Sequence, residues 1–365
     1  MVFVTATDAE CVTPPSGEST WQIVRWSRSR GLVRRTGVYR LANLLMYFTA
    51  LRRMHSRARR ERPDVLHLQG YYVPILFWLT VRLLRRYVRT VVLTSHNAFL
   101  RSDPARGGRL ARWGVRHLIA DADVVVTHAS NDVEQMRSSG LGVPRRFKLI
   151  PLGWHPVMPA DREGARLALG MRKDDFVVLL LGFIRSDKGL DLVADAAAAL
   201  DPDVRRMVKI VVAGEDQGGL APFLERVRKH GLQGGVDVRA GYQTLAEMSR
   251  FLVAADVAVL AHRQASGSGV LRMAMAAGTP VIAAQLEAFD DVQRAKSGWV
   301  FAPGDSQQLR KALERAIATP DHERRAMGLS GFMFADQRYR WDRIAAEYRD
   351  AYLLGMAREK CASPS

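Results

Sequence analysis

The chain has 365 residues, 48% of them hydrophobic and 25% charged, with 54 Lys+Arg against 37 Asp+Glu and a formal net charge of +17. That length favours two domains, and the composition excludes a chain disordered throughout, a collagen-like repeat or a low-complexity tract. The two cysteines, Cys11 and Cys361, stand near opposite ends without CxxC or metal-ligand spacing, which excludes a disulfide framework or zinc ribbon and fits a reducing, cytoplasmic location.

At the N-terminus, residues 2–6 read as a short strand running into a Pro-Pro-Ser-Gly loop, with no basic segment leading an apolar one as in a secretory signal. Residues 25–62 then carry about a dozen arginines interleaved with Trp26, Tyr39, Leu44, Tyr47 and Phe48. That pattern suits a helix on an anionic membrane surface, or an amphipathic helix covering a sheet with its Arg face solvated. The basic excess is confined to this half: residues 1–150 hold roughly 25 Lys+Arg against roughly 10 Asp+Glu, and the remainder is close to neutral. An anionic partner is expected there, whether phospholipid headgroups, a pyrophosphate-linked acceptor or nucleic acid.

From Pro63 the pattern alternates. Residues 65–68 are a buried strand, 73–86 have helical periodicity, and 90–94 are a β-branched run ending in the polar Ser95, His96 and Asn97. A helix at 107–120, the strand DVVVTHAS, a helix at 132–138 and the strand FKLIPLG follow. The best apolar run, residues 71–84, contains Arg82 and is too short to span a bilayer. After a polar stretch at 161–175 the rhythm restarts with FVVLLLGFI, helix DLVADAAAAL, VKIVVAGE, helix APFLERVRKHG closed by Gly231, and VDVRAGY. Then come a helix opened by Thr244 with Glu247 as capping-box partner, strand DVAVLAHR, helix GVLRMAMAAG and strand TPVIAA. Two such modules predict an α/β protein of two Rossmann-like, doubly wound parallel-sheet domains, with ligands beyond the carboxyl ends of the strands.

Three strand-to-helix loops of the second module carry candidate chemistry. Gly182 to Gly189 (GFIRSDKG) places Arg185 and Lys188 between two glycines, which suits a diphosphate. Ser266, Gly267, Ser268, Gly269 and Val270 open a helix with small residues that let backbone N–H groups approach an anion. Glu215, after VKIVVAG, offers a carboxylate to sugar or ribose hydroxyls. Asp121–Asp123 and Asp201–Asp203 have a metal-binding DxD spacing but sit at element edges, where caps are expected.

Taken in order, FIRSDKG, VVAGE, ADVAVLAHR, SGSGVLRMAMAAGTPVIA and GWVFAPGD resemble the retaining GT-B glycosyltransferases of family 4, from about Asp64 to the C-terminus. The resemblance implies an acceptor-side domain over 1–155, a nucleotide-sugar domain over 156–338, and a last helix, 339–355, crossing back to the first domain. It further implies that Arg185 and Lys188 grip the donor diphosphate in place of a metal, and that Ser268, Gly269 and Val270 face the phosphates. Gly241, Tyr242 and Gln243 lie where the base rests, and His96 lies near the transferred sugar; His67 and His128 also end strands and are read as structural. Gly153 and His155 match a hinge-side loop in which Leu152 replaces the usual His.

Two departures stand out. The paired glutamates of that family would fall at Ala265 and Met273, and the first strand and glycine-rich loop have no counterpart before Asp64, so the first domain is expected to be incomplete at its N-terminus. The expected function is transfer of a sugar from a nucleotide-diphosphate donor to a cell-envelope glycan, glycolipid or lipid-linked acceptor, with retention and no essential metal. The protein is expected to be peripheral on the inner face of the plasma membrane. A non-catalytic GT-B-like glycan-binding or partner protein is the alternative; nucleic acid is not expected, because no recognition motif accompanies the charge.

Overall fold

A computed structural model describes residues 2–6, 22–26, 37–69, 73–95, 108–128, 132–154, 157, 161–265 and 267–357, with side chains described from Tyr47 onward except Gln135. Strands β1 (Val2–Ala6) and β2 (Gln22–Trp26) pair in parallel as a separate two-stranded sheet. The basic stretch beyond them is largely helical, as α1 (Gly37–Glu61).

The first large sheet is parallel and takes its strands in chain order. It consists of β3 (Val65–Gln69), β4 (Thr90–Ser95), β5 (Val124–Thr127) and β6 (Phe147–Leu149). Helices α2 (Pro74–Leu84), α3 (Arg109–Asp121) and α4 (Asp132–Ser138) connect them. Because side chains alternate along a strand, Val91, Leu93 and Val125 meet Val81, Val115, Leu118 and Ile119 of these helices. Val92, Val124 and Val126 point the other way.

The polar stretch at 161–175 is not a plain connection. It contains α5 (Arg162–Leu169), capped by Asp161 accepting from Gly164 N–H and closed by Gly170 at φ +70°. The reason is a charge 90 residues away. Asp256 is 5% exposed and takes Arg162 at 2.5 Å, Arg166 at 2.6 Å and the Val177 N–H at 2.7 Å, so the polar face of α5 is tied down rather than solvated.

The second sheet contains β7 (Phe176–Leu181), β8 (Val208–Gly214), β9 (Val236–Ala240), β10 (Val257–Leu260), β11 (Val281–Ala284) and β12 (Gly298–Phe301). Its order is β12-β11-β10-β7-β8-β9, all parallel. Helices α6 (Leu190–Ala198), α7 (Pro202–Met207), α8 (Leu220–Lys229), α9 (Leu245–Ala254), α10 (Gly269–Ala276), α11 (Asp291–Arg294), α12 (Ser306–Ala318) and α13 (Asp321–Tyr339) surround it. Phe176, Val178 and Leu180 pack to one face, and Val177, Leu179 and Leu181 to the other. This strand order reverses between β7 and β10, which makes their carboxyl ends the topological switch point. The expected capping box of α9 is present, with Thr244 and Glu247 bonded reciprocally.

The last helix, α14 (Trp341–Met356), leaves the second sheet and lies on the first. Its Ile344 and Ala351 are buried against Val92, Val124, Val126 and Ile150, the strand face that α2–α4 leave open. Tyr348 and Tyr352 of α14 meet His67, whose Nδ1 bonds the Tyr352 hydroxyl at 2.8 Å and whose Nε2 bonds Thr94 at 2.7 Å.

Candidate functional site

Three strand ends converge at the switch point. After β7 the chain turns through Gly182, and Ile184, 1% exposed, donates its N–H to the Glu215 carbonyl while its own carbonyl accepts from Gln217 N–H, both at 2.9 Å. The loop is thereby sewn to the end of β8. On the other side, Arg263 N–H donates to the Asp187 carbonyl at 3.0 Å, and the Arg263 guanidinium bonds Ser186 O at 3.0 Å and the Asp191 carboxylate at 2.6 Å. Gly189 sits at φ +70°, and a Cβ there would lie 2.0 Å from the Ala261 carbonyl oxygen, so only glycine lets the β7 loop press onto the end of β10.

Lys188 belongs to the single 3-10 turn Ser186–Lys188 and reaches across this seam, its Nζ 2.7 Å from Nε2 of His262. Arg185 is half-buried and held by Asp187 within the same turn, Nε to Oδ1 at 2.8 Å, a bond that raises its pKa. The two cations of GFIRSDKG are therefore both present at the switch point, each with a partner.

The N-terminus of α10 borders the same loop at Gly182. Ser268 is buried and caps the helix, its Oγ accepting from Leu271 N–H at 3.2 Å. A Cβ on Gly182 would meet Val270 Cγ2 at 3.3 Å, so the β7 loop and the first turn of α10 are neighbours. Gly269 begins the helix, and a Cβ on Gly267 would lie 3.7 Å from Leu152 of the first sheet's side. Gly241 donates to the Gly214 carbonyl at 2.9 Å, which brings Tyr242, half-exposed, beside the ends of β8 and β9. Gln243 spends its amide N–H groups on the carbonyls of Arg239 and Gly241, and the Glu215 side chain is exposed. His96, His155 and Ser266 lie outside the described residues.

Both positions of the missing glutamates are apolar in surroundings as well as in identity. Met273 is 6% exposed in the core beneath α10, and Ala265 packs at the edge of the same cluster. Beside them stands a group that motif reading did not single out. Arg272 is buried, ion-paired with Asp291, and its guanidinium lies 3.7 Å from the centroid of the Tyr339 ring, while the Tyr339 hydroxyl donates to Asp291. Burial holds that phenol well above its ordinary pKa. Tyr339 is also the junction of α13 and α14, and its carbonyl accepts from Trp154 N–H at 3.0 Å. A cleft of about 430 Å³ opens here, lined by Gly267, Arg272, Glu287, His128 and Pro151 among others. His128 is oriented by donating Nδ1–H to the Ile150 carbonyl at 2.7 Å.

The DxD look-alikes are accounted for within the fold. Asp201 caps α7 as expected. Asp121 and Asp123 instead serve as ion-pair and hydrogen-bond partners: Asp121 accepts from Trp78 Nε1 at 2.9 Å, and Asp123 takes Arg85 at 2.7 Å and the Val91 N–H at 2.7 Å. Sequence reasoning also missed His262, although it lies two residues past β10 and the strand-end rule points to it as surely as to Lys188.

Two family descriptions match consecutive parts of the chain: "Glycosyl transferase 4-like domain" over residues 5–153 and "Glycosyl transferases group 1" over residues 161–330. The chain belongs to the GT-B glycosyltransferases. The match from residue 5 corrects the expectation that likeness to the family begins near Asp64. Among curated relatives, the D-inositol 3-phosphate glycosyltransferase of Saccharomonospora viridis is 29% identical over 321 residues, covering 81% of this chain and 73% of the relative. That of Actinosynnema mirum is 29% identical over 340 residues, covering 87% and 79%. Among solved structures, sucrose-phosphate synthase from Thermosynechococcus elongatus superposes with a TM-score of 0.71 at 19% identity, over 90% of this chain and 82% of that one. HepE from Anabaena, solved in complex with UDP and glucose, gives 0.70 at 17% identity, over 90% and 85%. The glycosyltransferase therefore shares the two-sheet GT-B architecture, with the switch point of its second sheet opposite the first sheet.

Proposed function

We propose that this glycosyltransferase binds a nucleotide-diphosphate sugar at the β7–β10 switch point and transfers the sugar, with retention, to an anionic cell-envelope glycan or lipid-linked acceptor held by the first domain. The observation that carries the reading is that the β7 loop holding Arg185 and Lys188 meets both the end of β10, through Lys188 and His262, and the capped first turn of α10, through Gly182 and Val270. Two cations and a helix dipole at one point suit a diphosphate, and they gain most as the leaving phosphate accumulates charge. That a fold neighbour is solved with UDP and glucose supports the donor class. The acceptor hydroxyl would attack the face from which the nucleotide departs, and the departing phosphate would take the acceptor's proton. In this reading Tyr242 and the Gly241 turn, beside the ends of β8 and β9, border the base, and the exposed Glu215 meets a hydroxyl group.

The acceptor side of the proposal rests on charge and on one surface. Trp78 and Trp113 stack edge to face with centroids 4.9 Å apart, and Leu79, Leu83 and Leu110 are exposed along the same two helices. Arg82, Arg86, Arg109, Arg112 and Arg116 are exposed beside them. Amphipathic aromatic rings among arginines suit an anionic membrane surface. Among the described residues, no helix is long and apolar enough to cross a membrane. The relatives' named acceptor, D-inositol 3-phosphate, is itself anionic, which fits the same charge asymmetry.

The apolar surroundings of Met273 and Ala265 favour one second reading, a non-catalytic GT-B protein that binds glycan or a partner. The test is release of nucleoside diphosphate from a panel of UDP- and GDP-sugars incubated with the full chain and membrane lipid extract. Turnover above the no-enzyme rate supports transfer or hydrolysis. Binding without turnover across the panel supports the second reading.

A further inference from the structure

We infer that His262 is a positioning residue for Lys188, holding its ammonium group at the diphosphate end of the donor site; the inference rests on the donor-site reading above. The Lys188 ammonium has only protons to offer, so at 2.7 Å the His262 Nε2 atom is the acceptor. The imidazole is itself well placed to act as a fixed post. It is 5% exposed, lies two residues past the fully buried β10, and meets the Phe289 ring edge to face with centroids 5.1 Å apart. Phe289 is in turn 1% exposed, so the ring behind His262 does not move easily.

A lysine side chain has four rotatable bonds and a strongly hydrated head, and left to itself it samples many positions over the phosphates. A bond to a buried acceptor on the neighbouring strand end removes most of that freedom before the donor arrives, which lowers the ordering cost of binding. Asp187 accepts from Arg185, and Asp191 accepts from Arg263, so the two carboxylates closest in sequence to Lys188 each serve an arginine. The turn at 287–289 presents the uncharged Phe289 ring to His262.

The experiment compares nucleotide affinities of the full chain by calorimetry, using UDP and GDP with UMP and GMP as single-phosphate controls. In His262→Phe, which keeps a ring against Phe289 but has no acceptor, affinity for the preferred nucleoside diphosphate should fall about tenfold, as for loss of a charged hydrogen bond. The monophosphate should bind nearly as before, because the loss is confined to the Lys188 end. His262→Gln, whose amide oxygen restores an acceptor, should recover most of the lost affinity. A His262→Phe protein that binds the diphosphate like the wild type, or loses monophosphate and diphosphate binding equally, overturns the inference. So does a Gln variant as weak as the Phe variant. A wild-type chain that binds neither diphosphate overturns the donor-site reading itself, and this inference with it.

Discussion

The guanidinium of Arg272 lies over the ring of Tyr339, 3.7 Å from its centroid, and both groups converge on the buried carboxylate of Asp291. Arg272 is one turn into α10, the helix whose first residues face the donor site, and Tyr339 is where the chain crosses back toward the first sheet. Next to it, a Cβ on Gly153 would lie 2.7 Å from the Trp341 indole, and Trp154 donates to the Tyr339 carbonyl, so both chain crossings between the sheets meet at one point. The triad therefore joins α10, whose first turn borders the β7 loop, to the point where the chain crosses between the two sheets.

Removing Arg272 takes the nearer guanidinium from the buried Asp291 carboxylate and leaves it Arg294, 3.9 Å away and mostly exposed. Arg272→Ala should destabilise the fold by about 3–5 kcal/mol, whereas Tyr339→Phe, which keeps the stack and loses one hydrogen bond, should cost about 1–2 kcal/mol. Urea denaturation of the three proteins measures both, and equal midpoints for wild type and Arg272→Ala would remove the triad from the structure's support.

Acid should weaken the fold through its paired carboxylates. For Asp123, burial would raise the pKa, but Arg85, the Val91 N–H and the Thr90 hydroxyl outweigh it and leave the carboxyl below its ordinary value. Asp191 is lowered in the same way, Arg263 outweighing burial. A carboxyl lowered in the folded state contributes stability above the ordinary range near ~3.9 and loses it as pH falls through the folded value. The melting temperature should be flat near neutrality and fall most steeply below about pH 4. In Asp123→Asn the neutral-pH melting temperature should be lower and the acid slope shallower; an unchanged slope would contradict the assignment.

His96 follows β4 in the sequence, outside the described residues, and the family resemblance implies a role for it near the transferred sugar. His96→Ala should cut turnover at least tenfold while changing nucleotide affinity less than threefold, both on the order expected for a group acting at the reacting centre rather than in donor binding. Turnover equal to wild type would remove it from the site.

The aromatic and basic face of α2 and α3 gives a membrane prediction. Trp113→Ala combined with Leu110→Ala should reduce co-sedimentation with phosphatidylglycerol vesicles several-fold and leave the melting temperature within a few degrees, since both side chains are exposed, by 42% and 67%. Equal vesicle binding would leave that face merely solvated.

Much of this architecture is legible in local sequence because parallel strands buried on both faces are continuous apolar runs, such as FVVLLL and VKIVVAG, and because caps such as Thr244 with Glu247 act over three residues. The position of Arg185 and Lys188 is legible for the same reason, since they stand in the loop that follows a buried strand. The α5 helix was obscured because its polar face is satisfied by Asp256, far along the chain. The Lys188–His262 contact was obscured because it depends on β7 and β10 being neighbours, a consequence of the crossover order and not of any local pattern. The Arg272–Tyr339–Asp291 group spans three elements, and nothing in GVLRMAMAAG alone indicates that its arginine is buried.

The most direct test of the donor site is calorimetry of UDP and GDP against wild type and Lys188→Ala. The account predicts that wild type binds one of them and that Lys188→Ala loses detectable binding while keeping its melting temperature. Unchanged affinity in Lys188→Ala would contradict the placement of the diphosphate at the β7–β10 seam.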